Sequence, residues 1–135
     1  VCELSNELIV ASSVNGEILQ RHSLLPENTS GFSAAASIYL CRNAGLLATS
    51  IRGADCIRFF TVRNDGLLDK SALIQLNGKY PRDMYLSPDG CSLLVAYEKS
   101  NFAELLLLDG SFNYKVLGQI EIPSPTRICF FIPLS

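Results

Sequence analysis

The sequence predicts an all-β protein, and three observations support this class. Apolar runs of strand length, rich in Leu, Ile, Val, Phe and Tyr, alternate with short polar connections along the 135 residues. No segment keeps a helical period with capping residues at both ends. Four connections carry dipeptides that tolerate positive φ and are typical of short hairpins. These are Asn15-Gly16, Asp65-Gly66, Asp89-Gly90 and Asp109-Gly110.

A repeat organises these strands. Residues 36–40, 82–86 and 126–130 share one pattern, in which Ile38 aligns with Met84 and Ile128. The following strands also match, since Leu-Leu-Ala-Thr at 46–49 corresponds to Leu-Leu-Val-Ala at 93–96. A period of ~40–50 residues made only of strands is typical of β-propeller blades, each a four-stranded antiparallel sheet. The sequence therefore predicts a propeller fragment of about two and three-quarter blades, too short to close a ring.

The repeat divides the chain into four parts. We expect 1–25 to hold the last two strands of one blade, 36–76 and 82–122 to form full blades, and 126–132 to begin a closing blade. The predicted strands lie near 6–12, 17–24, 37–41, 46–50, 56–63, 67–76, 82–87, 92–97, 103–109, 115–122 and 127–132. Completing the fold would require the rest of the propeller. The first residue, Val1, already belongs to structured sequence, so we expect the natural N-terminus to lie upstream.

Composition excludes several classes of partner. The net charge of −2 and the pI of about 5.3 argue against nucleic acid, whose binding requires a basic surface. No apolar run approaches the ~20 residues that cross a membrane as a helix. No carboxylate cluster or paired cysteines indicate a metal site.

The five cysteines, Cys2, Cys41, Cys56, Cys91 and Cys129, lie in or beside predicted strands. We expect buried free thiols, which favour a reducing, cytoplasmic location.

One face of the blades is expected to carry the functional residues. In an up-and-down sheet, the loop between strands two and three lies on the same side as the connection to the next blade. Glu3, Arg52 and Lys99 fall on the first kind of loop, and Lys79 and Arg82 fall on the second. The tight Asp-Gly turns go to the other side, so the longer loops gather the charges on one face.

At these loops the sequence resembles a known family. Residues 78–96, GKYPRDMYLSPDGCSLLVA, are similar to the blade-opening signature of the 6-phosphogluconolactonase-type propeller lactonases. IRGADCI at 51–57 resembles that family's Asn-Arg-Gly-His-Asp-Ser-Ile loop, and CELSNEL at 2–8 resembles its Asn-Glu-Leu loop one blade earlier. IPSP at 122–125 is similar to the turn before the family's last strand. The resemblance implies the C-terminal blades of a seven-bladed, cofactor-free hydrolase of sugar lactones such as 6-phosphogluconolactone.

The resemblance also implies site residues. The family's Glu and Arg in these loops carry over to Glu3 and Arg52 as catalytic residues. Lactone hydrolysis needs a base for water and donors for the developing oxyanion, and a carboxylate and a guanidinium on one cavity could supply both. The alternative is an inter-blade ion pair without a catalytic role. Cys2, Ile51 and Ala54 depart from the family motifs, so a non-catalytic interaction module also stays open.

Two further cations are predicted to bind substrate. Arg82 and Lys79 could hold a phosphate group. The alternatives are a solvated loop charge for Lys79 and an ion pair with Asp83 for Arg82. Lys99 is expected to be solvated. His22, the only histidine, is expected in an outermost strand without a nucleophile elbow nearby, which indicates a structural role.

Overall fold

The computed structural model describes residues 1–130, which contain ten β-strands and no helix. The strands are β1 (Glu7–Ala11), β2 (Ile18–Ser23), β3 (Ala34–Cys41), β4 (Leu46–Arg52), β5 (Cys56–Val62), β6 (Leu68–Gln75), β7 (Pro81–Leu86), β8 (Ser92–Tyr97), β9 (Phe102–Leu108) and β10 (Tyr114–Glu121). All pairings are antiparallel between neighbours in sequence. They form an N-terminal half-blade (β1–β2), a middle blade (β3–β6) and a C-terminal blade (β7–β10). The predicted all-β propeller fragment is thus confirmed.

Each of the ten strands predicted before residue 122 is present. The largest shift is at β3, which begins at Ala34, three residues earlier than expected, and contains a bulge between Ala35 and Ile38. A bulge adds residues to one strand of a pair and interrupts the alternation of its side chains. The alternation in the sequence therefore predicted a start for β3 that is too late. The last predicted strand, 126–132, is not seen as a strand over residues 126–130, and residues 131 and 132 lie outside the described part. Within the described part, residues 126–130 make no backbone hydrogen bond to a strand, and their hydrogen bond to β7 goes to the Asp83 side chain.

The middle blade is packed on both faces. Successive side chains of a strand point to opposite sides of the sheet, so Phe59 and Phe60 of β5 enter different cores. Phe59 packs with Leu93 and Leu106 between the middle and C-terminal blades, and Phe60 packs with Leu24 between the middle blade and the half-blade. All five side chains are at most 2% exposed. These two apolar interfaces fix the order of the blades, and hence which loops become neighbours.

The prediction of buried thiols is only partly right. All five cysteines are free, but only Cys41 and Cys56 are buried, whereas Cys2 is intermediate and Cys91 and Cys129 are exposed. Cys91 follows the Asp89-Gly90 turn and precedes β8, so it lies outside the alternation that buries strand residues. In the part of the chain that the structure describes, no helix is long or apolar enough to span a bilayer.

Candidate functional site

Three loops meet at one end of the blades, as the strand order requires. They are the β4–β5 loop (53–55), the β6–β7 connection (76–80) and the β8–β9 loop (98–101). The backbone of the β6–β7 connection hydrogen bonds to the β8–β9 loop, with Glu98 N donating to Tyr80 O at 3.0 Å and Lys99 N donating to Lys79 O at 3.3 Å. The predicted face of longer loops is therefore a connected surface rather than three separate turns.

Asp55 links the first two loops, a role that the sequence interpretation missed. Its carboxylate Oδ1 accepts the Gly53 N–H at 3.2 Å and the Tyr80 N–H at 2.9 Å, and Oδ2 lies 3.2 Å from Lys79 Nζ. The residue is 4% exposed and has a φ of 51°, a conformation that Asp tolerates better than most residues. An aspartate just before a strand was the available signal, but its partner 25 residues away depends on how the blades pack.

Arg52 is the last residue of β4, and the backbone at the next residue, Gly53, is tightly constrained. Gly53 has a φ of 84°, and a Cβ there would collide with the backbone carbonyl of Phe32, so only glycine fits. The Arg52 Nη2 atom contacts Glu3 Oε1 directly as an ion pair. The Arg52 side chain is 11% exposed and that of Glu3 is 60% exposed. The two predicted catalytic residues are thus brought together across 49 positions of sequence.

These residues face an open cleft of about 670 Å³. Residues of β3 and β7 and of 126–128 line its wall, which is where the innermost strands of successive blades lie. Five charged side chains contribute to it: Glu3, Arg52, Arg82, Asp83 and Arg127. Three predicted site residues therefore share one cavity, whereas Lys79 is not among the residues that line it.

The remaining predicted cations have different surroundings. Lys79 is paired with Asp55, and its side chain is 66% exposed. Arg82 has its Nε 3.8 Å from Glu98 Oε2 rather than beside Asp83, which is the pair considered from sequence. Lys99 is not simply solvated, because its Nζ lies 3.5 Å above the Tyr80 ring. His22 of β2 packs against Phe60 of β5, with ring centroids 5.0 Å apart, and does not line the cleft.

Asp83 is the second residue that the sequence interpretation did not assign to the site. It is 7% exposed. Its Oδ1 accepts the Ser37 hydroxyl at 2.7 Å, and its Oδ2 accepts the Ile128 N–H at 2.8 Å. Arg127 Nε lies 3.6 Å from the same Oδ2. Asp83 thus joins β3, β7 and the segment that follows β10 along the cleft wall.

Aromatic rings cover the wall beside this carboxylate. Tyr39 and Tyr85 meet edge to face with centroids 5.1 Å apart, and Tyr85 stacks on Phe130 at 4.7 Å. Burial and a hydrogen bond with Tyr85 raise the pKa of Tyr39 above its ordinary value, so the phenol stays neutral and able to donate. The cleft thus combines charged groups with flat apolar surface. Among residues 1–130, no three His, Cys, Asp or Glu side chains converge as metal ligands.

The family follows from a direct match. Residues 1–130 match the family model described as lactonase, 7-bladed β-propeller. The chain belongs to this lactonase family. The resemblance carried by the loop motifs is therefore confirmed over essentially the whole chain.

Individual relatives support the same family assignment. The chain is 34% identical over 131 residues to an uncharacterised protein of Staphylococcus aureus strain N315, covering 95% of this chain and 37% of that protein. Its fold matches the periplasmic gluconolactonase PpgL of Pseudomonas aeruginosa with a TM-score of 0.82 and 30% identity, over 93% of this chain and 36% of that one. A candidate 6-phosphogluconolactonase of Bacteroides fragilis gives a TM-score of 0.76 at 25% identity, over 92% of this chain and 35% of that one. The chain thus spans little more than a third of these relatives.

Proposed function

We propose that this chain supplies the C-terminal part of an enzyme that hydrolyses sugar lactones, with 6-phosphogluconolactone as a representative substrate. The observation that carries the proposal is the Arg52–Glu3 pair on the wall of the cleft. A gluconolactonase among the structural relatives supports the substrate class. The aromatic wall formed by Tyr39 and Tyr85 offers a surface on which a sugar ring can pack.

The pair fits both requirements of lactone hydrolysis. Water attacks the lactone carbonyl carbon, a proton passes from that water to a base, and the carbonyl oxygen gains negative charge. Arg52 would stabilise the carbonyl oxygen, since its planar guanidinium presents several hydrogen-bond donors in a fixed geometry. Glu3 would accept the proton from the attacking water, because its largely exposed side chain can reach a water in the cleft. When the ring C–O bond breaks, the ring oxygen takes up the proton that Glu3 accepted from the water, and the hydroxy acid leaves.

Much of the channel wall must come from outside these residues. The two blades and the half-blade leave the cleft open on one side, and the relatives are more than twice as long as this chain. We therefore expect the 135-residue piece by itself to show no measurable turnover. Activity belongs to the longest natural polypeptide that contains these residues.

The test compares that polypeptide with variants of the pair. We expect Arg52→Ala to lower the kcat/KM for 6-phosphogluconolactone by about a hundredfold or more, which is typical for loss of an oxyanion donor. Glu3→Gln keeps the size of the side chain but removes its basicity, so it should also lower kcat. Arg42→Ala is the matched control, because Arg42 follows β3 at the end of the blade opposite Arg52. Equal rates for the wild type and Arg52→Ala would refute the role of Arg52.

A binding module without catalysis is the second candidate. It is favoured by the direct contact of Glu3 and Arg52, because an ion pair between the half-blade and the middle blade also explains why both are present. Under this function the wild type would bind a hydroxy acid in the cleft without hydrolysing any lactone. A structural pair would also make both variants less stable while leaving ligand affinity unchanged.

A further inference from the structure

Three residues at the same repeat position form a belt along the cleft. The repeat that aligns Ile38, Met84 and Ile128 also aligns the residues just before them, which are Ser37, Asp83 and Arg127. Ser37 Oγ donates to Asp83 Oδ1 at 2.7 Å, and Arg127 Nε lies 3.6 Å from Asp83 Oδ2. All three line the cleft. The first two members connect blades, whereas the third places a cation at the end of the belt.

The backbone around Arg127 is held on both sides. Ser124 N donates to Asn101 Oδ1 at 2.9 Å, and the next residue, Pro125, is buried. On the other side, Ile128 N donates to Asp83 Oδ2 at 2.8 Å. Although this segment is not a strand, its backbone is therefore anchored two to three residues before Arg127 and one residue after it. The Arg127 side chain therefore extends from a backbone position that is fixed on the cleft wall.

Arg127 is the most exposed of the three arginines that line the cleft. Arg52 is buried and paired with Glu3, and Arg82 lies 3.8 Å from Glu98. Arg127 approaches Asp83 only through Nε, its side chain is 80% exposed, and its Nη atoms make no hydrogen bond within residues 1–130. Asp83 already accepts two shorter hydrogen bonds. The planar fork of Arg127 therefore has two amino groups available for an anion.

The charge of the cleft favours the same ligand. Its lining carries three arginines and two carboxylates, a formal charge of +1, while the whole chain carries −2. An anion is therefore drawn to this cavity rather than to the rest of the surface. Lys79, the other cation predicted to bind a phosphate, is held by Asp55 outside the cleft.

We propose that Arg127 determines substrate specificity by binding an anionic group of the ligand, a phosphate monoester or a carboxylate. Asp83 is its positioning residue, because it fixes the following backbone N–H and faces Nε. This proposal rests on the lactonase function proposed above, since it names the substrate class of the same cleft. It concerns affinity for charged ligands, which can be measured whether or not the protein turns over a lactone.

The experiment measures ligand affinity of the longest natural polypeptide that contains these residues. Isothermal titration, or NMR titration for weak binding, would use 6-phosphogluconate, gluconate and neutral glucose. We expect Arg127→Gln to weaken binding of 6-phosphogluconate about tenfold, the usual effect of losing one charge-assisted contact, while glucose is unchanged. Arg127→Lys should recover part of the affinity. Arg42→Gln, the same charge change in the β3–β4 turn, is the control.

The ligands distinguish the anionic groups. A loss confined to 6-phosphogluconate assigns Arg127 to the phosphate, and an equal loss for gluconate assigns it to the carboxylate; either supports the proposal. Unchanged affinities, an equal loss for glucose, or a wild type that binds no anion would overturn it. Failure of the lactonase proposal would appear separately, as absent or Arg52-independent hydrolysis with the anion preference intact.

Asp83→Asn tests the positioning role through the sign of the effect. Removal of a negative charge from the cleft should by itself strengthen anion binding. If Asp83 positions Arg127, the variant instead weakens 6-phosphogluconate binding about threefold, and has no such effect when Arg127 is already glutamine. Tighter binding by Asp83→Asn would contradict the positioning role while leaving Arg127 itself testable.

Discussion

Replacement of Asp55 by alanine removes the carboxylate that joins the β4–β5 loop to the β6–β7 connection. The Gly53 and Tyr80 N–H groups both donate to Asp55 Oδ1, and Lys79 lies beside Oδ2. The asparagine variant is the informative comparison. It keeps an acceptor oxygen and tolerates the positive φ at this position, but it loses the charge that attracts Lys79.

The two variants should differ clearly in the free energy of unfolding. Each hydrogen bond from a backbone N–H to a carboxylate contributes about 1.5–3 kcal/mol, and alanine at positive φ costs about 1 kcal/mol more. We therefore expect Asp55→Ala to cost at least about 4 kcal/mol. Asp55→Asn should cost about 1 kcal/mol, because the Lys79 side chain is 66% exposed and surface ion pairs contribute little.

Urea unfolding followed by circular dichroism measures these differences, and amide hydrogen exchange locates them. In Asp55→Ala the Tyr80 and Gly53 amides should lose protection, while both stay protected in Asp55→Asn. Glu121→Ala, at an exposed glutamate of β10 whose carboxylate makes no hydrogen bond or ion pair within residues 1–130, is the matched control with an expected cost below about 0.5 kcal/mol. A cost below 1 kcal/mol for Asp55→Ala, with the Tyr80 amide still protected, would refute the linking role.

Three further outcomes are expected. The buried Tyr97 hydroxyl donates to Glu104 Oε2 at 3.1 Å, so Tyr97→Phe should destabilise the fold by about 1–3 kcal/mol in urea titrations; a change below 0.5 kcal/mol would contradict this bond. Burial raises the pKa of Cys56 from 9.0 to about 11, so the folded state keeps the proton longer than the unfolded state. Stability should fall between pH 9 and 11 by about 2–3 kcal/mol more than in Cys56→Ala, and iodoacetamide should label Cys91 and Cys129 before Cys56. Finally, β2 is the only strand that pairs with β1 among the described residues, and Leu105 and Leu107 of β9 are exposed, so the isolated piece should self-associate. A monodisperse 14.8 kDa species in light scattering would contradict this.

The strands and their grouping into blades could be predicted from sequence, for a local reason. Side chains alternate across a strand, and the repeat recurs every 44 to 46 residues, so both signals can be recognised from the order of the residues alone. The loop motifs around Glu3 and Arg52 were likewise readable, and they led to the family. The last predicted strand is the exception, because a strand exists only where a partner is present, and residues 126–130 have none in the described part.

Other polar contacts could be seen only in the tertiary structure. Asp83 reaches Ser37 and Ile128 across 46 and 45 positions, and Asp55 reaches Tyr80 across 25. None of these distances follows from strand alternation, because each depends on how far one blade is rotated against the next. Packing of the apolar interfaces sets that rotation. The repeat therefore predicted the blade unit and the side on which its longer loops lie, whereas the packing of the blades determined that Lys79 is held by Asp55 and that Arg127 lines the cleft.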